Sequence, residues 1–220
     1  PIGMKDLFCS ENVLTTAASH ILDNFSPTYE STVSANLWNA GAVMLGKTNL
    51  DEFAMGSSNM TSHYGAVENP WHPTATEDKK FVPGGSSGGS ASIVAAHGAI
   101  AATGTDTGGS IRQPASFCGI LGLRTTPGLI PQGPNNMPYQ SLSVIGPLAR
   151  NSEDLGLALD SMVGYNLYDP LTNPFISNGY RKAACIEFKP KKIAFSEDLK
   201  VSHVSQEIRN IFSNAISELN

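Results

Sequence analysis

The chain carries two short segments rich in glycine and serine, and a lysine lies far upstream of both. The segments are Gly-Gly-Ser-Ser-Gly-Gly-Ser at 84–90 and Gly-Thr-Asp-Thr-Gly-Gly-Ser at 104–110, and the lysine is Lys5. Glycine permits backbone conformations with positive φ and a close approach to a ligand. Consecutive backbone N–H groups in such turns can point at one developing negative oxygen. The pattern indicates a hydrolytic active site with a serine nucleophile.

Lys5 is the candidate base of this site. A serine hydroxyl is a weak nucleophile at neutral pH and needs a neighbouring base that takes its proton as it attacks a carbonyl. Lysine can do this only when it is neutral, and burial favours the neutral form by lowering the lysine pKa. Lys5 stands in an apolar stretch that favours burial, formed by Ile2, Met4, Leu7 and Phe8. Taken alone, Lys5 would be interpreted as a surface lysine at a strand end.

Two other interpretations of the segment at 84–90 fit less well. A flexible linker would not be flanked by Phe81-Val82 and by a run of small residues suited to a tightly packed helix. A phosphate-binding loop ends in Gly-Lys-Ser or Gly-Lys-Thr, whereas this segment continues as Gly-Gly-Ser-Ala. The glycines alone are equally compatible with a structural turn and with an anion-stabilising loop.

Composition excludes several classes of protein. With 220 residues, 40% of them hydrophobic, the chain can bury a sizeable core, which excludes a disordered or fibrous protein. The formal charge of −5 and the scattered basic residues argue against a nucleic-acid surface. The three cysteines and five histidines lack the spacing of a zinc site, a disulfide framework or a Ser-His-Asp triad. No apolar run could cross a bilayer, and the odd number of widely spaced cysteines favours a reducing compartment, so we expect a cytoplasmic protein. No metal or organic cofactor is expected.

Hydrophobic periodicity predicts alternating helices and strands. Helices are predicted where apolar residues recur at helical spacing, and strands where short apolar runs follow a glycine. The predicted helices cover 31–39, 90–97, 152–164 and 204–219, and the predicted strands cover 42–45, 99–103 and 192–195. Segments rich in Pro, Gly and Asn, at 127–147 and 165–190, are predicted to be long surface loops. This alternation is typical of an α/β protein.

Several motifs together resemble the amidase signature family. They are Pro-Ile-Gly-Met-Lys-Asp at 1–6, Pro-Gly-Gly-Ser-Ser-Gly-Gly-Ser at 83–90, Gly-Thr-Asp-Thr-Gly-Gly-Ser-Ile-Arg at 104–112 and Pro-Ala-Ser-Phe-Cys-Gly at 114–119. Segments 41–49 and 142–150 extend the resemblance over nearly the whole chain. The resemblance implies an α/β fold with a mixed β-sheet core surrounded by helices, and a nucleophile turn near the centre of the sheet.

The resemblance also implies a catalytic triad of two serines and a lysine. Placed by motif, the nucleophile is Ser110, the bridging serine is Ser86 and the base is Lys5. In the family, the peptide bond before the bridging serine is cis. The oxyanion hole would be formed by the backbone N–H groups of Thr107, Gly108, Gly109 and Ser110.

Five further residues are candidates for supporting the site or binding substrate. Asp106 and Arg112 are placed to brace the nucleophile turn, through backbone hydrogen bonds or an ion pair. Ser87 is placed to support the loop that carries Ser86. Met55 and Ser58 match a family loop that lines the acyl pocket, although a plain turn explains them equally well.

Two branches of the family compete for the function. Segments 122–131, 142–150 and 168–171 favour a free-standing amidase that cleaves a linear amide C–N bond, to acid and amine or ammonia, through an acyl-serine. The alternative is the A subunit of the glutamyl-tRNA(Gln) amidotransferase, which releases ammonia from glutamine and which segments 15–19 and 51–58 resemble.

The resemblance further suggests that 1–220 form a single, partial amidase signature domain, because family members extend beyond it at both ends. The N-terminal helices and the C-terminal half would then be missing, and a second alternative is an inactive, incomplete fragment. The expected partners are a small-molecule amide substrate and a second copy in a homodimer, or other amidotransferase subunits under the alternative. No direct contact with nucleic acid or membrane is expected.

Overall fold

The computed structural model describes residues 1–72, 79–134, 139–173, 179–187 and 192–219. The chain divides into two compact units, Pro1–Ile186 and Glu187–Asn220. The first unit contains five strands, β1 Ile2–Lys5, β2 Met44–Thr48, β3 Ala101–Asp106, β4 Leu121–Gly122 and β5 Val144–Ala149. Its helices are α1 Thr32–Asn39, α2 Gly88–Ala95, α3 Arg112–Cys118, α4 Ser152–Met162 and α5 Tyr180–Ala184.

The five strands form one mixed sheet in the order β2-β1-β3-β5-β4. Strand β1 is parallel to both β2 and β3, whereas β5 runs antiparallel to β3 and to β4. Strands β3 and β5 are buried along their whole length. The α/β class and the mixed sheet predicted from the sequence are therefore confirmed. The carboxyl ends of β1, β2 and β3 meet at one edge of the sheet, where polar side chains from distant segments can converge.

Helices α1 and α4 cover one part of the sheet. Each begins at a polar cap, since the Ser31 side chain accepts a hydrogen bond from the N–H of Ser34 and the Asn151 side chain accepts one from the N–H of Asp154. Their apolar faces meet in a core that also receives side chains from β1 and β5. The buried residues of this core are Met4, Phe8, Val33, Leu37, Ile130, Ile145, Leu159 and Met162.

Helix α2 packs closely on the sheet because its first residues are small. A Cβ on Gly89 would overlap the backbone of Asn49, so only glycine allows this approach. At the next position, Ser90 Oγ donates a hydrogen bond to Thr103 O at 2.8 Å and lies 2.7 Å from Thr48 Oγ1. Helix α2 thereby connects β2 and β3, and it fixes the loop at its own N-terminus against the sheet edge.

The second unit contains one long helix, α6 Gln206–Ser217. The Ser205 side chain caps this helix, and the Arg209 guanidinium lies 3.1 Å from the Glu197 carboxylate. Apolar side chains on α6 are exposed, among them Ile208 and Ile211. The sequence predicted a helix over this segment, at 204–219. Among the described residues of the chain, no helix is long and apolar enough to cross a membrane.

Three parts of the predicted secondary structure are wrong. Residues 192–195 form no strand, and the two predicted loops contain α5 and most of β5. Pro147 suggested a loop, but it lies within β5, where its carbonyl accepts a hydrogen bond from the N–H of Leu123. In a strand the N and O atoms of one residue point to the same side, so the donor that Pro147 lacks faces the short edge strand β4. The ladder between β5 and β3 is therefore unaffected by this proline.

Candidate active site

Lys5 is the last residue of β1 and is fully buried. Its Nζ donates hydrogen bonds to three hydroxyl groups, those of Ser86 at 2.9 Å, Ser87 at 2.8 Å and Thr105 at 2.8 Å. An ammonium has three donors and no acceptor, whereas a neutral amine has two donors and one lone pair. One of the three hydroxyls can therefore donate to Nζ when the lysine is neutral. This geometry suits proton exchange between Lys5 and a serine.

The environment of Lys5 favours its neutral form. Burial lowers the pKa of Lys5 from its ordinary value of 10.5 to about 7, and the negative charges of Asp51 and Asp106 oppose this shift. Desolvation disfavours the ammonium because the surrounding hydroxyls replace water only in part. A substantial fraction of Lys5 is consequently unprotonated near neutral pH, as a general base requires.

Ser86 lies in the loop before α2 and is fully buried beside Lys5. The peptide bond between Gly85 and Ser86 is cis, as the family resemblance implies. Two hydrogen bonds hold this part of the loop, from the Asp51 N–H to Ser86 O at 3.3 Å and from the Gly85 N–H to Gln113 Oε1 at 3.2 Å. The loop is thus anchored both to the turn after β2 and to α3.

Ser110 lies in the turn after β3, half-buried, at the wall of an open cavity of about 360 Å³. The other residues that line this cavity are Gly56, Ser57, Gly85, Gly108, Gly109 and Gln113. The Ser110 carbonyl accepts a hydrogen bond from the N–H of Ser87 at 3.2 Å, which joins the two serine-bearing turns. Within the described ranges, no hydrogen bond links the hydroxyls of Ser86 and Ser110. The structure therefore brings Lys5 and Ser86 into contact and places Ser110 in the adjacent turn.

Asp106 organises the turn that carries Ser110. Its buried carboxylate accepts hydrogen bonds from the Gly109 N–H at 2.9 Å and from Arg112 Nε at 2.9 Å and Nη2 at 3.0 Å. Arg124 Nε lies 3.5 Å away. Burial alone would raise the pKa of Asp106, but hydrogen bonds from Arg112 and from the backbone of Ile111 and Arg112 lower it below its ordinary value. Asp106 and Arg112 form both contacts that the sequence suggested for them, backbone hydrogen bonds and an ion pair.

The four predicted oxyanion donors differ in their availability. The N–H of Gly109 is engaged by Asp106, and this residue has φ 138°, a conformation that favours glycine. In the portion of the chain with described structure, the N–H groups of Thr107, Gly108 and Ser110 have no hydrogen-bond partner. Gly108 and Ser110 line the cavity and Thr107 directly precedes them in the turn, so these N–H groups are available to a ligand oxygen.

The structure places the remaining candidates differently from one another. Ser87 is fully buried and contacts Lys5 directly rather than only supporting the loop. Met55 is 64% exposed, and neither it nor Ser58 lines the cavity at Ser110, where their neighbours Gly56 and Ser57 lie. Among the residues that the structure describes, no three His, Cys, Asp or Glu side chains are grouped to hold a metal ion.

Sequence reasoning missed three residues close to Lys5. Thr105 contacts Lys5 Nζ, and two positions earlier the Thr103 hydroxyl accepts a hydrogen bond from the Lys5 N–H at 2.9 Å. The two-residue period of a strand places both threonines on one side of β3, so the alternation Thr103, Thr105 was a usable signal. The third is Asp51, a fully buried carboxylate beside the loop that carries Ser86, within a segment whose resemblance to the family gave it no individual role.

Close packing around Gly85 predicts a stability effect. A Cβ on Gly85 would overlap the Asp51 carboxylate and lie 2.9 Å from the Ser58 nitrogen, so Gly85→Ala should destabilise the chain by about 1 to 3 kcal/mol. Thermal unfolding should show a decrease in Tm of several degrees. The matched control is Gly108→Ala, since a Cβ on Gly108 meets no atom within 4 Å. Equal Tm values for the two variants would contradict the packing described here.

Known proteins resemble this chain in sequence and in fold. A family model described as Amidase matches residues 1–220. The A subunit of glutamyl-tRNA(Gln) amidotransferase from Paramagnetospirillum magneticum is 48% identical over 219 residues, which cover 100% of this chain and 45% of that protein. The corresponding protein from Parvibaculum lavamentivorans is also 48% identical, with 44% of its length covered. The chain spans less than half the length of these curated relatives.

Two solved structures illustrate the similarity of fold. The A subunit of glutamyl-tRNA(Gln) amidotransferase from Thermotoga maritima matches 81% of this chain and 39% of its own, with 39% identity and a TM-score of 0.69. The native peptide amidase from Stenotrophomonas maltophilia matches 82% of this chain and 37% of its own, with 34% identity and a TM-score of 0.72.

Proposed function

The chain belongs to the amidase family, and from this premise we propose that it cleaves a carboxylic amide C–N bond through an acyl-Ser110 intermediate. One observation supports the proposal above the others. A fully buried amine, Lys5, is hydrogen-bonded to the hydroxyls of Ser86, Ser87 and Thr105, and the adjacent turn carries Ser110 together with free backbone N–H groups. A base, a relay and an anion-stabilising turn are the parts that acyl transfer by serine requires.

In the proposed reaction, Ser110 Oγ attacks the carbonyl carbon as its proton passes to Ser86 Oγ and the Ser86 proton passes to Lys5 Nζ. The relay requires the Ser110 hydroxyl to come within hydrogen-bonding distance of Ser86 Oγ. The negative oxygen of the tetrahedral intermediate accepts hydrogen bonds from the free N–H groups of Thr107, Gly108 and Ser110, each worth roughly 3 kcal/mol of barrier. Collapse breaks the C–N bond, and the departing nitrogen takes the proton back from Lys5 through Ser86. Water then attacks the carbonyl carbon of the acyl-Ser110 while its proton passes through Ser86 to Lys5. The ester bond breaks, Ser110 Oγ takes this proton back through Ser86, and the acid is released.

Labelling with a fluorophosphonate probe tests this function directly. The native chain is incubated with the probe, digested and mapped by mass spectrometry. We expect a single adduct, on Ser110, because among the residues with described structure only this serine combines partial exposure with a nearby base and free backbone donors. An adduct on another serine, or none on a chain shown by circular dichroism to be folded, would refute the proposal.

The substrate class we favour is a primary amide that releases ammonia, with glutamine as the first candidate. The observation behind this choice is that the curated relatives at 48% identity are amidotransferase subunits, although sequence motifs favoured a free-standing amidase. Under this choice, the partners of the protein would be other amidotransferase subunits. Ammonia release from glutamine and from a simple aliphatic amide should be compared; a preference for the aliphatic amide would restore the free-standing amidase.

The lowered pKa of Lys5 predicts the pH dependence of the reaction. Lys5 acts as a base only when neutral, so kcat/KM should fall about tenfold per pH unit below about 7 and reach a plateau above it. The measurement is kcat/KM for ammonia release from pH 5 to 9. A kcat/KM that keeps rising tenfold per pH unit up to pH 9, without a plateau, would contradict the lowered pKa of Lys5.

A further inference from the structure

Asp51 is a buried carboxylate whose charge has no cation bound to it. It is fully buried, and among the described residues it takes part in no ion pair. Its oxygens accept hydrogen bonds from the Asn59 N–H at 3.0 Å and from the Thr61 hydroxyl at 2.9 Å. Donors on both oxygens are the arrangement that an ionised carboxylate requires. A buried charge of this kind usually has a compensating charge nearby.

Asp51 also lies where it can act on Lys5. Lys5 pairs in the sheet with Thr48, the last residue of β2, and Asp51 follows only three residues later. The Asp51 N–H donates to Ser86 O, and its carboxylate packs against Gly85, immediately before the serine that contacts Lys5 Nζ. The carboxylate is thus fixed behind the loop that carries the proposed proton relay.

The other charged groups around Lys5 are already paired. Two carboxylates act on Lys5, that of Asp106 at the end of β3 and that of Asp51 in the turn after β2. The loop before α2 contributes the hydroxyls of Ser86 and Ser87. The existing ion pairs are Asp106 with Arg112 and Arg124, and Asp6 with Lys47. Two guanidinium groups offset the charge of Asp106, which leaves Asp51 as the carboxylate whose charge is not offset by another cation.

We propose that Asp51 is the counter-ion of the Lys5 ammonium that forms when Ser110 is acylated. The inference rests on the proposed function, in which the Ser110 proton reaches Lys5 through Ser86. Asp51 accepts no proton and touches no substrate, so it is a positioning residue that acts through Lys5. Its charge lowers the free energy of a positive charge created in a site without bulk water, and so makes Lys5 a stronger base than burial alone would allow.

The first test is the pH dependence of the rate of Ser110 labelling by the fluorophosphonate, in native protein and in Asp51→Asn. Loss of the negative charge makes the ammonium harder to form, so the midpoint of the acid limb should move down by about one pH unit. The matched control is Glu52→Gln, a neighbouring carboxylate that accepts a hydrogen bond from Ser19 and is not among the charges acting on Lys5. Its midpoint should equal that of the native protein.

A purely structural role for Asp51 would give a different result. A folded Asp51→Asn protein that labels more slowly but keeps the native midpoint overturns the inference. Failure of the native chain to label at Ser110 would instead refute the proposed function. The two failures are therefore distinguishable.

The second test needs no change at Asp51 and covers the case in which Asp51→Asn does not fold. In native protein with ¹³C-labelled aspartate, the Asp51 side-chain carboxyl resonance should show a step near pH 7, where Lys5 titrates. The same step should be lost in Lys5→Met. A native resonance that stays constant between pH 6 and 8 would overturn the inference, whatever the activity of the chain.

Discussion

Ser110→Ala should reduce amide hydrolysis by at least about 10⁴-fold, the scale at which loss of a serine nucleophile acts when its base and oxyanion donors remain. The substitution removes one oxygen from a half-buried side chain whose Oγ has no hydrogen-bond partner within the described ranges. The fold should therefore be unaffected. The measurement is single-turnover ammonia release together with fluorophosphonate labelling, and both signals should disappear.

The matched control for this variant is Ser116→Ala. Ser116 is exposed on α3, only six residues from Ser110 and away from the cavity lining. Its rate should stay within about twofold of native, since substitutions of exposed residues outside the active site change little. If Ser110→Ala retained an adduct and a measurable rate, the nucleophile would lie elsewhere, and the buried contacts of Lys5 would be structural.

Periodic helices were the part of the fold that the sequence predicted well. Helices α1, α4 and α6 each combine a polar cap with apolar residues at helical spacing, and local sequence encodes both features. Three strands of the sheet were missed, and two of them, β1 and β5, were missed for a shared reason. Strand β1 is four residues long and ends at a lysine, and β5 contains a Gly-Pro pair, so neither shows the local pattern of a strand. Pairing with β3, which local patterns do not reveal, supports both strands.

The residues of the candidate site also differ in whether local sequence could identify them. The loop and turn that carry Ser86 and Ser110 are contiguous glycine-rich motifs, so the sequence could identify them. The surroundings of Lys5 could not be identified in this way, because Thr105 is 100 residues distant in the chain and meets Lys5 through the sheet. Whether a lysine is a surface residue or a buried base depends on such contacts, and no local pattern contains them.

The chemistry proposed for Lys5 has a thermodynamic consequence that can be tested without any substrate. The folded-state pKa of about 7 is lower than the unfolded value of 10.5. Between these two pH values the unfolded chain binds more protons at this residue than the folded chain does. The contribution of Lys5 to the free energy of unfolding should therefore rise with pH through this window, by roughly 1.4 kcal/mol per pH unit, and be constant below about 7 and above about 10.5.

Lys5→Met should remove this pH-dependent part of the free energy of unfolding, and it should also abolish hydrolysis. Methionine fills a similar apolar volume but cannot accept a proton, so acylation should fall by about 10³-fold or more, the order expected for loss of a general base together with its contacts. The measurement is chemical unfolding of native and Lys5→Met protein at pH 7.5, 8.5 and 9.5, because groups common to both proteins cancel in the difference. A stability difference independent of pH would place the Lys5 pKa outside this window. Retained activity in Lys5→Met would refute its role as the base, even if the stability difference followed the expected slope.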